Sequence, residues 1–306
     1  MKRTQLIALC LMAGVLSACA QKKSATAATP LGNKDTYSMT MQSQQMRSDK
    51  PAGDDANMSD DDGNMYPYYY EKREAKLKLP TALGGMTDEQ VDAIKRKLLK
   101  EGFGSSSDNA ATAWLDSSAP AFEGSSLKMV KGELPSPDAW MGLVTEGVGI
   151  YPVAACDGFV TFAVSRWEDR GTGMGAGTSS AEEYFTFARN QADFEADAFA
   201  PENIFTAGKP AKNILLLINR QLRLKKRTGE DCVSDEATRI PETMYISKKG
   251  MVFCFSKYEV ACGAAGNYEV TVPWASIKPY LRPAAYTKIQ KALLNYKGYE
   301  WPFPYE

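Results

Sequence analysis

Residues 242–281 read ETMYISKKGMVFCFSKYEVACGAAGNYEVTVPWASIKPYL. Met244-Tyr245-Ile246 has the composition of a short strand. Lys248-Lys249-Gly250 follows as a tight turn, with a glycine free to take a positive φ. From Met251 to Ser256, Phe253 and Phe255 fall on one face and Val252 and Cys254 on the other. Gly263 and Gly266 open the next loop. Tyr268 to Val272 alternates again and stops at Pro273, which has no N–H for a ladder. Three strands with one apolar face need a cover, and amphipathic segments elsewhere supply it. The predicted class is α+β: an antiparallel or mixed sheet covered by helices.

Composition narrows the chemistry. The 306 residues carry 36 Lys+Arg against 37 Asp+Glu, so no basic excess favours nucleic acid. Hydrophobic residues make up 44%, enough for a real core. Histidine is absent. That excludes Ser-His-Asp and Cys-His nucleophilic sites and any His-ligated metal.

The first residues carry an address. Lys2 and Arg3 precede an apolar run from Leu6 to Leu16, so 1–18 reads as an export signal. Leu16-Ser17-Ala18-Cys19 resembles a bacterial lipobox, which implies cleavage before Cys19 and lipidation of its sulfur. The apolar run is too short to span a bilayer. Residues 19–65 are polar and methionine-bearing, and the expectation is a disordered tether. Its methionines lack cysteine or histidine company, which disfavours a soft-metal site. Asp60-Asp61-Asp62-Gly63 fails as a calcium loop, because Met58 and Tyr69 then fall on ligand positions. No metal and no cofactor are expected.

The ordered part is expected to fall into 66–150 and 151–306. Glu74 to Leu79 alternates as a strand. Thr87-Asp88-Glu89-Gln90 has capping-box spacing, Val91, Ile94 and Leu98 share a helical face, and Gly102 is the predicted stop. Short strands are predicted at 140–148 and 151–155. Phe159–Trp167 and Tyr184–Ala188 read as a hairpin around a tip, GTGMGAG (171–177), that imitates part of a dinucleotide fingerprint. A strand-forming YFTFA after that tip argues against a phosphate site. Lys212–Lys226 is the clearest helix, with Ile214, Leu215, Leu217, Ile218 and Leu222 as its stripe. Its cations read as a solvated face. Pro283 starts the last helix. The tail aromatics Tyr296, Tyr299, Trp301, Phe303 and Tyr305 read as a clip onto the core, with glycan stacking the alternative.

Four cysteines follow Cys19, and an even number in an exported chain suggests disulfides. Of three pairings, Cys254–Cys262 is favoured because the two flank one loop. Cys156–Cys232 is the remainder.

FCFSKYEVACGAAGNYEVTVPWASIKPYL (253–281) resembles the end of a domain of unknown function found in RsiV-type lysozyme-binding anti-sigma factors and in some peptidoglycan deacetylases. Tyr258, Glu259, Ala265, Gly266, Glu269, Val270, Pro273 and Leu281 occupy the positions of that family's pattern, and a weaker match runs back to about Glu71. The family's GGAHG-like segment corresponds to GTGMGAGT here, without the histidine. The resemblance implies the fold and a ligand such as a lysozyme-like protein or peptidoglycan. The loops at 168–180 and 257–267, expected to be exposed, are the candidate contacts for such a ligand, with Arg170, Met174, Tyr258, Glu259 and Asn267 as candidate residues. The deacetylases carry their activity on a separate metal-binding domain with no counterpart in this sequence.

The leading expectation is a lipid-anchored binding module of the bacterial cell envelope, periplasmic or on the outer membrane. The membrane is engaged through the lipid on Cys19, and a protein or glycan is the ligand. The alternatives are a wall-polymer hydrolase using paired carboxylates and a purely structural lipoprotein. Glu182, Glu183, Glu259 and Glu269 are the available acids for hydrolysis.

Overall fold

The computed structural model describes residues 30–51, 68–119, 127–133, 143–169, 179–189, 201–206, 210–228, 233, 236–262, 265–300 and 302–303. In chain order the elements are β1 (Thr36–Ser48), β2 (Tyr70–Ala82), α1 (Asp88–Phe103), α2 (Ala110–Leu115), β3 (Met129–Lys131), β4 (Leu143–Ala155), β5 (Phe159–Asp169) and β6 (Ser179–Ala188). They continue with α3 (Pro201–Ile204), α4 (Pro210–Arg227), β7 (Met244–Ile246), β8 (Gly250–Phe255), β9 (Tyr268–Pro273), α5 (Trp274–Ile277), α6 (Pro283–Ala292) and β10 (Lys297–Gly298).

The large sheet runs β3-β1-β2-β4-β5-β6, with β10 added at β4. Its β2–β4 pair is parallel and its other ladders are antiparallel. Ala75, Leu77, Val148, Ile150, Val160, Phe162 and Phe187 fill one face, under Val91, Ile94 and Leu98 of α1. Thr87 caps α1 with the reciprocal Gln90 bonds that the sequence predicts. Its stop is Gly104, at φ 73, two residues beyond the predicted Gly102.

The small sheet, β7-β8-β9, is the unit read from residues 242–281. Met251, Phe253, Phe255, Val270 and Val272 face a core closed by Ile214, Ile218 and Leu222 of α4 and Ile289 of α6. The expected α+β class, a mixed sheet covered by helices, is what forms. Gly250 plays a different part from the one expected. Its φ is not positive, and a Cβ there would collide with the Val272 carbonyl oxygen. The turn needs glycine for close strand approach.

Three expectations change. Residues 19–65 do not form a tether throughout, because the described fold begins at Pro30 and β1 lies inside that span. β1 is polar and mostly exposed, so no apolar period announces it. Its ladder with β2 holds it, from Thr36↔Ala82 to Arg47↔Tyr70. Leu31 N–H also donates to Asp157 Oδ1 at 2.9 Å. The expected boundary at 150/151 falls inside β4, which pairs with β2 and β5 and joins both halves in one sheet. The two short strands expected there are one strand with an irregularity between Pro152 and Ala154, where proline lacks a donor.

The expected Cys254–Cys262 bridge is not formed. Cys254 and Cys156 are free and buried, which also removes Cys156–Cys232. Cys254 lies opposite Glu269 and within hydrogen-bond reach of Tyr184, so its thiol belongs to the contact between the sheets and sequence proximity misled. Cys262 is disulfide-bonded, and Cys232 lies outside the described residues, as do Cys19 and the 171–177 tip. In the tail, Phe303 packs edge-on against Tyr151 at 6.4 Å and Tyr299 against Tyr37 at 6.0 Å. Trp301 and Tyr305 lie outside the described residues.

Candidate functional site

β6 presents Glu182 and Tyr184 on one side, two residues apart. They lie opposite Ser165 and Ala163 of β5, small residues that leave space above them. Tyr151 of β4 flanks Ala163 from the other side. On the small sheet, Tyr245 opposes Val252 and Cys254 opposes Glu269, on the face turned away from α4. The two faces meet there, with the rings of Tyr184 and Tyr245 4.7 Å apart and tilted by 33°.

A phenol–carboxyl network joins the sheets. Tyr151 Oη donates to Glu182 Oε1 at 2.7 Å. Tyr184 Oη lies 2.8 Å from Glu182 Oε2 and 3.2 Å from Glu269 Oε1. Tyr245 Oη is 3.1 Å from each oxygen of Glu269. Tyr184 has one proton to donate and two carboxyls to serve. Burial pushes the Glu269 carboxyl up from its ordinary value, although the residue as a whole keeps solvent access. The Tyr245 and Tyr184 hydrogen bonds pull it down, and the Glu182 charge adds to the rise. Burial likewise raises the Tyr184 phenol, with Cys254, Glu182 and Glu269 adding.

Beside this network is a cleft of about 430 Å³ between residues 181–186 and 242–246, with Met251 and Ser256 beneath. Glu182, Glu183 and Glu242 line it together with Tyr184 and Tyr245, and among the described residues neither lysine nor arginine lines it. Glu183 is 3.3 Å from Arg166, a residue outside the cleft wall. A cleft of one sign with aromatic faces suits a cation. A second cleft, about 510 Å³, is lined by Trp114, Trp167, Glu146, Glu168 and Arg166. It carries both signs, so it makes no such selection. Among the described residues no group of three or more His, Cys, Asp or Glu could hold a metal ion.

Of the four acids available to a hydrolase, Glu182 and Glu269 converge. Glu183 faces Arg166, and Glu259 accepts from Ser256 N at 3.2 Å and pairs with Arg239 at 3.1 Å. Of the loop contacts, Asn267 Oδ1 lies 3.2 Å from Ser180 Oγ on β6, at the edge of the cleft strand. Tyr258 is 58% exposed and holds a left-handed φ of 69, uncommon for a bulky residue. Arg170 and Met174 lie outside the described residues. Sequence reasoning missed Tyr151, Tyr184, Tyr245 and Glu242. The alternation of β6 places Glu182 beside Tyr184, but nothing local reports that a second sheet faces them.

Two sheets, each with its own helical cover and an acidic cleft between them, define the architecture. Residues 202–275 match the family described as "Protein of unknown function (DUF3298)". A crystal structure of a DUF3298 family member from Bacteroides fragilis aligns with a TM-score of 0.52 at 13% identity, covering 84% of this chain and all of that one. A DUF3298 family protein from Pseudomonas aeruginosa aligns with a TM-score of 0.49 at 14% identity, covering 83% and 98%. At such identity the first likeness shows the fold alone. No curated protein matches the sequence.

Proposed function

We propose that this chain is a binding module of the bacterial cell envelope, anchored through a lipid on Cys19, whose cleft takes a basic group of a protein ligand. The observation that carries the reading is the charge of the cleft: Glu182, Glu183 and Glu242 line it and, among the described residues, no lysine or arginine does. A lysine or arginine side chain entering the cleft beside Tyr184 and Tyr245 gains carboxylate partners and an aromatic face. The RsiV-like resemblance supports a lysozyme-like wall hydrolase as that ligand. The anchor rests on the basic start, apolar run and lipobox-like Leu16-Ser17-Ala18-Cys19.

The test is a pull-down with immobilised chain against a basic lysozyme and against purified peptidoglycan fragments. Saturable, salt-weakened retention of the lysozyme supports the reading. Retention of wall fragments alone contradicts it.

The hydrolase reading draws on one observation. Glu182 and Glu269 both touch the Tyr184 hydroxyl, which puts their carboxyls within about 6 Å, shorter than the roughly 6.5–9.5 Å that an inverting glycosidase leaves for its water. Yet the Tyr184 phenol fills the space between them, where the scissile bond would have to lie. The geometry therefore favours binding, and release of soluble sugar from peptidoglycan would reverse that preference.

A further inference from the structure

α4 carries six cations in 18 residues, Lys212, Arg220, Arg223, Lys225, Lys226 and Arg227, and no carboxylate. The chain as a whole is nearly neutral, at −1, so this charge is segregated onto one helix. The inner stripe of Ile214, Ile218 and Leu222 is buried. Lys225 reaches inward over the Tyr268 ring at 4.8 Å. The outer face holds Lys212, Arg220, Arg223 and Arg227, all exposed. Between and beside them stand Leu216, 56% exposed, and Leu224, 43% exposed. At 100° per residue, Leu216 projects between Arg223 and Arg227 and one turn before Arg220. Glu236 pairs with Arg223 at 2.6 Å.

Single exposed leucines are ordinary. Two of them set among guanidinium groups on one helix face form the pattern of an interfacial helix, with apolar side chains below the phosphate level and cations at it. A second fact agrees. The described fold begins at Pro30, so a lipid on Cys19 would leave ten intervening residues, whose eleven Cα–Cα steps reach about 40 Å at full extension. The expected 19–65 tether would have allowed roughly 160 Å. A domain anchored in this way lies close enough to a bilayer for one of its faces to touch it.

We propose that the outer face of α4 docks on anionic lipid headgroups. The cations neutralise phosphate charge and Leu216 and Leu224 enter the headgroup boundary. The surface is separate from the cleft and works without the anchor.

The test is co-sedimentation of the chain from Ala20 onward, which retains every described residue. Vesicles of phosphatidylglycerol with phosphatidylcholine are compared with vesicles of phosphatidylcholine alone. The expected result is binding to the anionic vesicles only, weakening as salt rises. Each cation contributes about fivefold, so Arg220→Gln with Arg227→Gln is expected to weaken binding about thirtyfold. Leu216→Ser is expected to weaken it without changing the salt dependence. All three positions are exposed, and an unchanged melting temperature confirms that the variants fold. Equal binding to both vesicle types, absence of binding at low salt, or parent-like binding by the double variant overturns the proposal. So does competition by soluble polyphosphate as strong, per charge, as that of added vesicles, because the face would then read polyanions. Glu182→Gln is expected to leave vesicle binding unchanged, so failure of the cleft reading and failure of this one are distinguishable.

Discussion

Asp35 and Arg189 form a fully buried bidentate ion pair across 154 residues of sequence. Arg189 Nη1 donates to Asp35 Oδ1 at 2.9 Å and Nη2 to Oδ2 at 2.6 Å, with both side chains fully shielded from solvent. Gly84 completes the network, its N–H donating to Asp35 Oδ1 at 2.9 Å and its carbonyl accepting from Arg189 Nη1 at 2.7 Å. The pair ties the segment before β1 to the end of β6. Removing one partner leaves a buried charge alone, so Asp35→Ala is expected to cost about 3–5 kcal/mol in urea unfolding. Replacing both, Asp35→Leu with Arg189→Met, is expected to recover most of that. A cost under about 1 kcal/mol for the single change would mean that residues 30–48 are dispensable after all.

The cysteines give a second expectation. Burial pushes the Cys156 thiol up to about 11, and it raises Cys254 still further, with the Glu269 charge adding. Both are expected to resist alkylation at pH 8 in the folded chain and to react once it is denatured. Peptide mapping without reductant is expected to recover Cys262 in a crosslink, with Cys232 as the partner left among the four cysteines after Cys19. A crosslinked Cys254 would contradict the structure.

The small sheet was readable because its strands are apolar on one side and its turns carry glycine and proline. Phe253, Phe255, Val270 and Val272 need no knowledge of distant chain to be placed inside. β1 was not readable, because Thr36–Gln45 is polar and held by a ladder and an ion pair whose partners lie far along the sequence. The cleft was half readable. Glu182 and Glu269 stood among the candidate acids, but their meeting depends on how the two sheets pack, which no period records. The disulfide expectation failed for the same reason, since nearness in sequence is a poor guide to which face of a strand a thiol occupies.

Gly250 tests the packing of that small sheet. Gly250→Ala introduces a Cβ against the Val272 carbonyl oxygen, a backbone atom that cannot swing away. A loss of about 1–3 kcal/mol is expected on thermal or urea unfolding. An unchanged melting temperature would show that β8 and β9 lie further apart.

The raised Glu269 carboxyl sets a pH dependence. The folded chain holds this proton more tightly than the unfolded chain, so stability from this group is fully present below the unfolded value near 4.5. It is lost as pH rises through the folded value. Binding of a cation favours the ionised form, so affinity for a basic ligand is expected to rise over the same interval. Glu269→Gln is expected to flatten both profiles in parallel denaturation and binding series. A parent-like slope in the variant would assign the dependence to another group.

On the proposed reading, the cleft between β6 and β7 recognises a cation. Calorimetric titration of the purified chain with a basic lysozyme, comparing parent with Glu182→Gln and Glu242→Gln, decides whether it does. Each variant is expected to lose about 2 kcal/mol, or about thirtyfold in Kd, and to show a shallower salt dependence. Parent-like affinity in both variants, or no saturable heat from the parent, would contradict it.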